Sequence, residues 1–298
     1  MFSAEVEVFA VPITIDDASR ATTRPVGDGP AKARPAGGIR ATTHIQSKKP
    51  ARQAGHEQGN SRHMLGPTAH VDTFTRENLP PPGEWPDFLL EGFDYPDRLN
   101  AAVELTDALV ARGFGDRIAL IGNGRRRTYK ELSDWTNRLA HALVENYGVK
   151  PGNRVLVRSA NNPAMVACWL AATKAGAVVV NTMPMLRAGE LGKIVDKAEI
   201  ALALCDTRLM DDMIACAKDS RHLRQVVGFD GTANHDAELD RAALDKPVVF
   251  EAVQTGRDDV ALLGFTSGTT GVPKATMHFH RDLMAVADSY AREVLNVT

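Results

Sequence analysis

Residues 260–280 read VALLGFTSGTTGVPKATMHFH, an apolar run that breaks into glycines, hydroxyls and one lysine before turning half-apolar again. Val260 to Phe265 suit a buried strand. Thr266-Ser267-Gly268-Thr269-Thr270-Gly271 then combine four hydroxyls with two glycines, and Val272-Pro273-Lys274 follow. In ATMHFH, Met277 and Phe279 alternate with Thr276, His278 and His280, which predicts a second strand. Glycine lets backbone N–H groups come close to an anion, hydroxyls add donors, and lysine adds charge, so strand–loop–strand with this filling suits a polyphosphate. A Walker loop differs, since it needs Gly-Lys-Ser/Thr and runs straight into a helix. A turn with no ligand would explain the glycines but not the clustered hydroxyls and lysine.

Working back from this stretch, strand and helix patterns alternate. A helical stripe over 98–112 carries Leu99, Val103, Leu105, Leu109 and Val110. RIALIG, Asn123-Gly124 and RRRTY predict a hairpin with the favoured Asn-Gly turn. Thr128 and Glu131 form a capping box for a helix that repeats Leu132, Trp135, Leu139 and Leu143. NRVLVRS predicts a strand, Asn162-Pro163 opens an Ala-rich helix, and Gly176 stands just beyond its end. AVVVN (177–181), a helix near 188–198, IALALC (200–205), a helix near 207–218 and QVVGF (225–229) complete the series. Apolar strands separated by helices predict an α/β fold, with a mainly parallel sheet covered on both faces. Residues 230–258 are polar and show no clear pattern.

The chain has 298 residues, 44% hydrophobic and 24% charged, the composition of a soluble globular protein. No stretch approaches the ~20 apolar residues of a membrane span, and no secretory signal is evident, so a cytoplasmic protein without a membrane partner is expected. Cys168, Cys205 and Cys216 lack CxxC spacing and read as reduced, buried thiols. The histidines show no ligand spacing, and no metal site is expected within the chain. The net charge of −2 hides a basic segment, 18–63, with nine Lys/Arg against Asp28 and Glu57. Rich in Ala, Gly, Pro and Thr, residues 1–66 read as a disordered, basic, low-complexity extension. EVFAVPITI is its one apolar run, with no evident partner. The segment lacks the interleaved aromatics of a nucleic-acid arm, and Glu5, Glu7, Asp16 and Asp17 argue against a transit peptide. Met64 closes it, and read-through from upstream would give the same composition.

Weaker motifs carry less. GNGRRR at 122–127 lacks the third glycine of a dinucleotide fingerprint, and its arginines read as a solvated hairpin edge. His141 reads as a helix-surface histidine. No Gly-x-Ser-x-Gly elbow is present.

FTSGTTGVPK resembles the phosphate-loop signature of the AMP-forming acyl-CoA synthetases, the adenylate-forming group that includes luciferases and peptide-synthetase adenylation domains. RTYKELSDWTNRLAHAL, GVKPGNRVLV and AATKAGAVVVNTMP are similar to that family's earlier segments, in the same order. FTSGTTGVPKATMHFHRD and TAHVDTFTRENLPPPGEWPDFLL look most like 2-aminobenzoate and benzoate CoA ligases. Ala275 stands where most members have Gly, at little cost in a strand. The resemblance implies that 67–298 form an incomplete AMP-binding amino-terminal domain ending just after the phosphate loop. It implies a ligase that joins an aromatic carboxylate to coenzyme A at the expense of ATP. Thr266, Ser267, Gly268, Thr269, Thr270, Gly271 and Lys274 would hold the ATP phosphates, and His280 would face the acyl pocket. For His280 a structural role, a strand histidine pairing with a backbone carbonyl, stands beside this one. The Mg2+-binding glutamate and the adenylation lysine would lie beyond Thr298. Two other readings stay open: a truncated remnant that at most binds nucleotide weakly, and a ligase for an aliphatic or fatty acid.

Overall fold

The structure, a computed structural model, describes residues 13–14, 65–81, 84–85, 93–231, 236–266 and 273–295. All belong to one compact unit. In chain order the strands are β1 (Ile13–Thr14), β2 (Ile118–Gly122), β3 (Arg125–Thr128), β4 (Arg154–Arg158), β5 (Val178–Thr182), β6 (Leu202–Asp206), β7 (Gln225–Phe229), β8 (Val260–Thr266) and β9 (Lys274–Phe279). The helices are α1 (Phe74–Glu77), α2 (Ala101–Leu105), α3 (Asp107–Leu109), α4 (Tyr129–Glu145), α5 (Pro163–Lys174), α6 (Ala188–Lys197), α7 (Met210–Asp219), α8 (Glu238–Ala243) and α9 (His280–Val286).

Six strands form one sheet in the order β7-β6-β4-β5-β8-β9, parallel except for β9. Its inner strands are mainly apolar because both faces are covered, whereas the edge strand β9 alternates. Val155, Val157, Val179, Leu202, Leu204 and Phe229 point to the face packed by α4, α5 and α8. Leu156, Val178, Val180, Ala203 and Cys205 point to the face packed by α6 and α7. The three cysteines are buried and free, as expected.

Local signals set the element ends. Thr128 and Glu131 make the reciprocal capping box, with the Thr128 N–H donating to the Glu131 carboxylate at 2.7 Å. The Asn162 side chain accepts from the Met165 N–H at 2.9 Å, Pro163 occupies the first turn, and Gly176 at φ +73° ends the α5 turn. Asn123 (φ +52°) and Gly124 (φ +69°) both sit at positive φ, as the Asn-Gly hairpin turn requires.

Four expectations need correction. The stripe over 98–112 is not one helix: Thr106 leaves helical geometry (φ −133°, ψ −80°) with its hydroxyl on the Ala102 carbonyl at 2.6 Å. The chain restarts as α3 and then a π-helical turn, Val110–Phe114. The segment 230–258 contains α8, followed by a return strap held by non-local bonds. Asn137 binds the Val248 carbonyl, and the Val253 N–H donates to the Lys174 carbonyl at 2.9 Å. EVFAVPITI does have a partner: Ile13 lies parallel to Leu120 and Thr14 to Ile121, on the open edge of β2. Leu65 and Gly66, counted in the extension, pack on the core, with the Gly66 N–H donating to Asp258 at 3.0 Å. The rest of 1–64, and so its expected disorder, lies outside the described residues.

Candidate functional site

β8 and β9 pair from Val260 opposite Phe279 up to Thr266 opposite Lys274, which makes the expected strand–loop–strand. Thr266 and Lys274 are exposed at the mouth of the hairpin. Ser267, Gly268, Thr269, Thr270 and Gly271 lie outside the described residues. The Lys197 ammonium, at the end of α6, donates to the Pro273 carbonyl at 2.9 Å and holds the exit of the loop. On β9, Met277 and Phe279 pack on the core, while Lys274, Thr276 and His278 line the other face. Gly264 faces this row, and a Cβ there would stand 2.9 Å from Thr276 Oγ1, so glycine is what permits the close approach.

The loop leaves the carboxyl end of β8, beside β5. In open α/β sheets ligands bind beyond the carboxyl ends of strands, where the direction of winding switches. Here α5, leaving β4, and α6, leaving β5, lie on opposite faces, so the switch falls between β4 and β5. Two buried charges shape this edge. Arg158, 1% exposed, donates to the Leu186 carbonyl at 2.8 Å and to the Pro184 carbonyl at 3.1 Å, pinning the loop that exposes Met183 and Met185. Asp206, fully buried, accepts from Ser159 Oγ at 3.1 Å and from Arg208 at 2.6 Å. Burial pushes this carboxyl up, but the Arg208 hydrogen bonds and charge outweigh it and hold it below the ordinary range. Neither residue was singled out from sequence. An arginine at each end of the apolar strand RVLVR was the available signal, because a buried arginine must find several acceptors.

His280 is not on the strand: it opens α9, at the foot of the hairpin opposite the loop. It is fully buried. Its Nδ1 accepts the Ala101 N–H at 3.1 Å, and its own N–H donates to the Asp259 carbonyl. The ring thus pairs with a backbone amide rather than with the expected carbonyl. Burial, helped by the charge of His70, pushes it down to about 3, so the ring is neutral. Six steps of ~3.3 Å along the chain put Lys274 about 20 Å away at the other end of β9. The structure places His280 at the end of the hairpin away from Thr266 and Lys274. The sequence periodicity could not show that the chain turns into a helix one residue earlier. His141 also does more than expected, bridging Glu145 at 2.7 Å and the Val249 carbonyl at 2.8 Å. Arg127 stacks over the Trp135 ring at 4.5 Å.

Among the described residues no helix is long and apolar enough to cross a membrane, and no three His, Cys, Asp or Glu side chains gather where a metal ion could sit. The chain is 32% identical over 201 residues to a 3-hydroxybenzoate/4-hydroxybenzoate–CoA ligase of Thauera aromatica, covering 67% of this chain and 38% of that protein. It is 29% identical over 196 residues to a medium-chain fatty-acid–CoA ligase of Escherichia coli K12, covering 63% and 34%. Its fold matches that of the anthranilate CoA ligase AuaEII, crystallised with anthranoyl-AMP, at a TM-score of 0.61 and 22% identity over 67% of this chain and 37% of that one. The chain therefore spans well under half the length of the relatives it matches. Residues 108–297, most of the chain, match the sequence profile of the AMP-binding enzymes. The chain belongs to the AMP-binding enzyme family, the family of adenylate-forming CoA ligases.

Proposed function

We propose that the protein to which this chain belongs activates an aromatic carboxylic acid of the benzoate or 2-aminobenzoate type. The carboxylate attacks the α-phosphate of ATP and releases pyrophosphate. The coenzyme A thiol then attacks the acyl carbon of the adenylate and releases AMP. The observation that carries this reading is FTSGTTGVPK held between antiparallel strands at the carboxyl edge of a parallel sheet. Phosphoryl chemistry asks a protein mainly for positioning and charge stabilisation. Thr266, Ser267, Thr269 and Thr270 would donate hydroxyls to the β- and γ-phosphates. Gly268 and Gly271 would let backbone N–H groups approach them, and the Lys274 ammonium would offset their charge. Mg2+ would neutralise phosphate charge, but the described residues hold no cluster for it, and no step here runs through it.

The hydroxybenzoate ligase relative favours an aromatic acid, and the fatty-acid ligase relative keeps an aliphatic one as the second reading. ATP–pyrophosphate exchange by the full-length protein, measured over a panel of acids, separates them. Exchange with benzoate or 2-aminobenzoate and not with acetate or fatty acids is expected. Preference for a fatty acid would overturn the aromatic reading and leave the ligase class standing. No exchange with any acid would favour the non-catalytic remnant.

A further inference from the structure

We propose that residues 65–78 form an acid-released strap, clamped on the foot of the β8–β9 hairpin by two buried neutral histidines. The strap is tied to the core by several hydrogen bonds. Gly66 N–H donates to Asp258 at 3.0 Å and Ala69 N–H to Asp259 at 2.9 Å. Thr68 Oγ1 also binds Asp259, and the Val71 and Asp72 N–H groups share the Pro151 carbonyl at 3.0 Å. Among these ties sits His70, 8% exposed, with Nε2 buried and without a partner. Beneath it lies His280, whose Nε2 is likewise buried and without a partner.

The geometry admits only neutral rings. The Nδ1 of His280 accepts an amide N–H, so a proton there would set donor against donor. With Nδ1 accepting, neutral His280 already carries its one proton on Nε2, and charging either ring would leave a buried cation whose Nε2 has no acceptor. The charges around the pair are mixed. Burial lowers His70, Arg76 and Arg154 act in the same direction, and together they outweigh Asp259, at the foot of β8, and Asp72, on the strap, which favour a protonated ring. His280 faces His70 and Asp259. Both rings are therefore neutral in the closed state, and His70, carried on the strap, regains an ordinary value near 6.5 once the strap lifts, while His280 keeps the Ala101 N–H on its Nδ1. The strap is stabilised above that pH and loosened below it, because the open state binds more protons. Burial raises the Asp72 carboxyl but its Arg154 hydrogen bond and charge hold it below the ordinary range, so that tie persists and His70 sets the response between pH 7.5 and 5.5.

Amide hydrogen exchange of the full 298-residue chain between pH 7.5 and 5.5, corrected for intrinsic rates, tests this. The opening equilibrium of 65–78 should rise about tenfold per pH unit below 6.5, for the one proton that His70 takes up. β4 and β6 should stay protected throughout. His70→Gln with His280→Asn, which keeps an acceptor for the Ala101 N–H, should flatten the response. A wild-type opening that does not change with pH would overturn the proposal on its own. So would an unchanged slope in the double variant, or opening of β4 and β6 in step with the strap.

Discussion

Removing the carboxylate of Asp107 should cost the fold more than removing its lysine partner. Lys174 ends α5 with 0% of its side chain exposed, its Nζ 2.6 Å from Asp107 Oδ2 and 2.6 Å from Asn137 Oδ1. Asp107 keeps 35% of its side chain in solvent and also accepts from Ser133 Oγ at 2.6 Å. Asp107→Asn strands an ammonium that water cannot reach, and breaking a buried pair in this way costs ~3–5 kcal/mol. Because solvent screens part of the aspartate's contribution, about 3 kcal/mol is expected. Lys174→Met keeps most of the stem volume. It leaves a carboxylate still solvated and hydrogen-bonded, so the cost should be about 1–2 kcal/mol. The double variant should regain much of the loss, since a buried ion pair contributes little against an apolar replacement. Urea unfolding monitored by tryptophan fluorescence measures all three; with a slope near 2 kcal/mol/M, Asp107→Asn should lower the midpoint by about 1.5 M. Equal or reversed single costs, or strict additivity in the double variant, would refute the reasoning.

Gly152 sits at φ +88°, and a Cβ there would stand 2.2 Å from the Asp72 carbonyl oxygen. Gly152→Ala should therefore cost about 2–4 kcal/mol by unfolding and raise exchange first in 65–78. Arg158→Lys keeps the charge but not the fork that holds the Pro184 and Leu186 carbonyls, so proteolysis should find a new cut within 183–187 before the sheet opens. Asp206 is held below the ordinary carboxylate range, so its stabilisation is full above about pH 4 and fades as pH falls through the native value. Asp206→Asn should flatten that acid limb.

What was legible in the sequence follows from how local each signal is. QVVGF became β7 residue for residue, and the capping box of Thr128 with Glu131 and the Asn123-Gly124 turn need only near neighbours. The stripe over 98–112 misled because its periodicity is real while Thr106 breaks the helix, turning Asp107 toward a lysine 67 positions away. The buried charges Arg154, Arg158 and Lys174 escaped notice because each is held by distant carbonyls, amides or counter-charges that no window contains. His280 followed the alternation of β9 up to the residue where the chain enters α9. The class of the loop was legible because its residues are contiguous; its acid partner was not, because an acyl pocket gathers side chains from separate segments.

The most direct test of the central claim is ATP–pyrophosphate exchange by the full-length protein carrying Lys274→Ala or Thr269→Ala, at saturating acid. Each substitution removes a donor to charge developing on the phosphates, where losing one contact costs ~3 kcal/mol, or about a hundredfold in rate. Exchange slowed by that order with an unchanged melting temperature is the predicted result. Exchange at the wild-type rate at saturating ATP would contradict the account and leave the glycine-rich hairpin a structural turn.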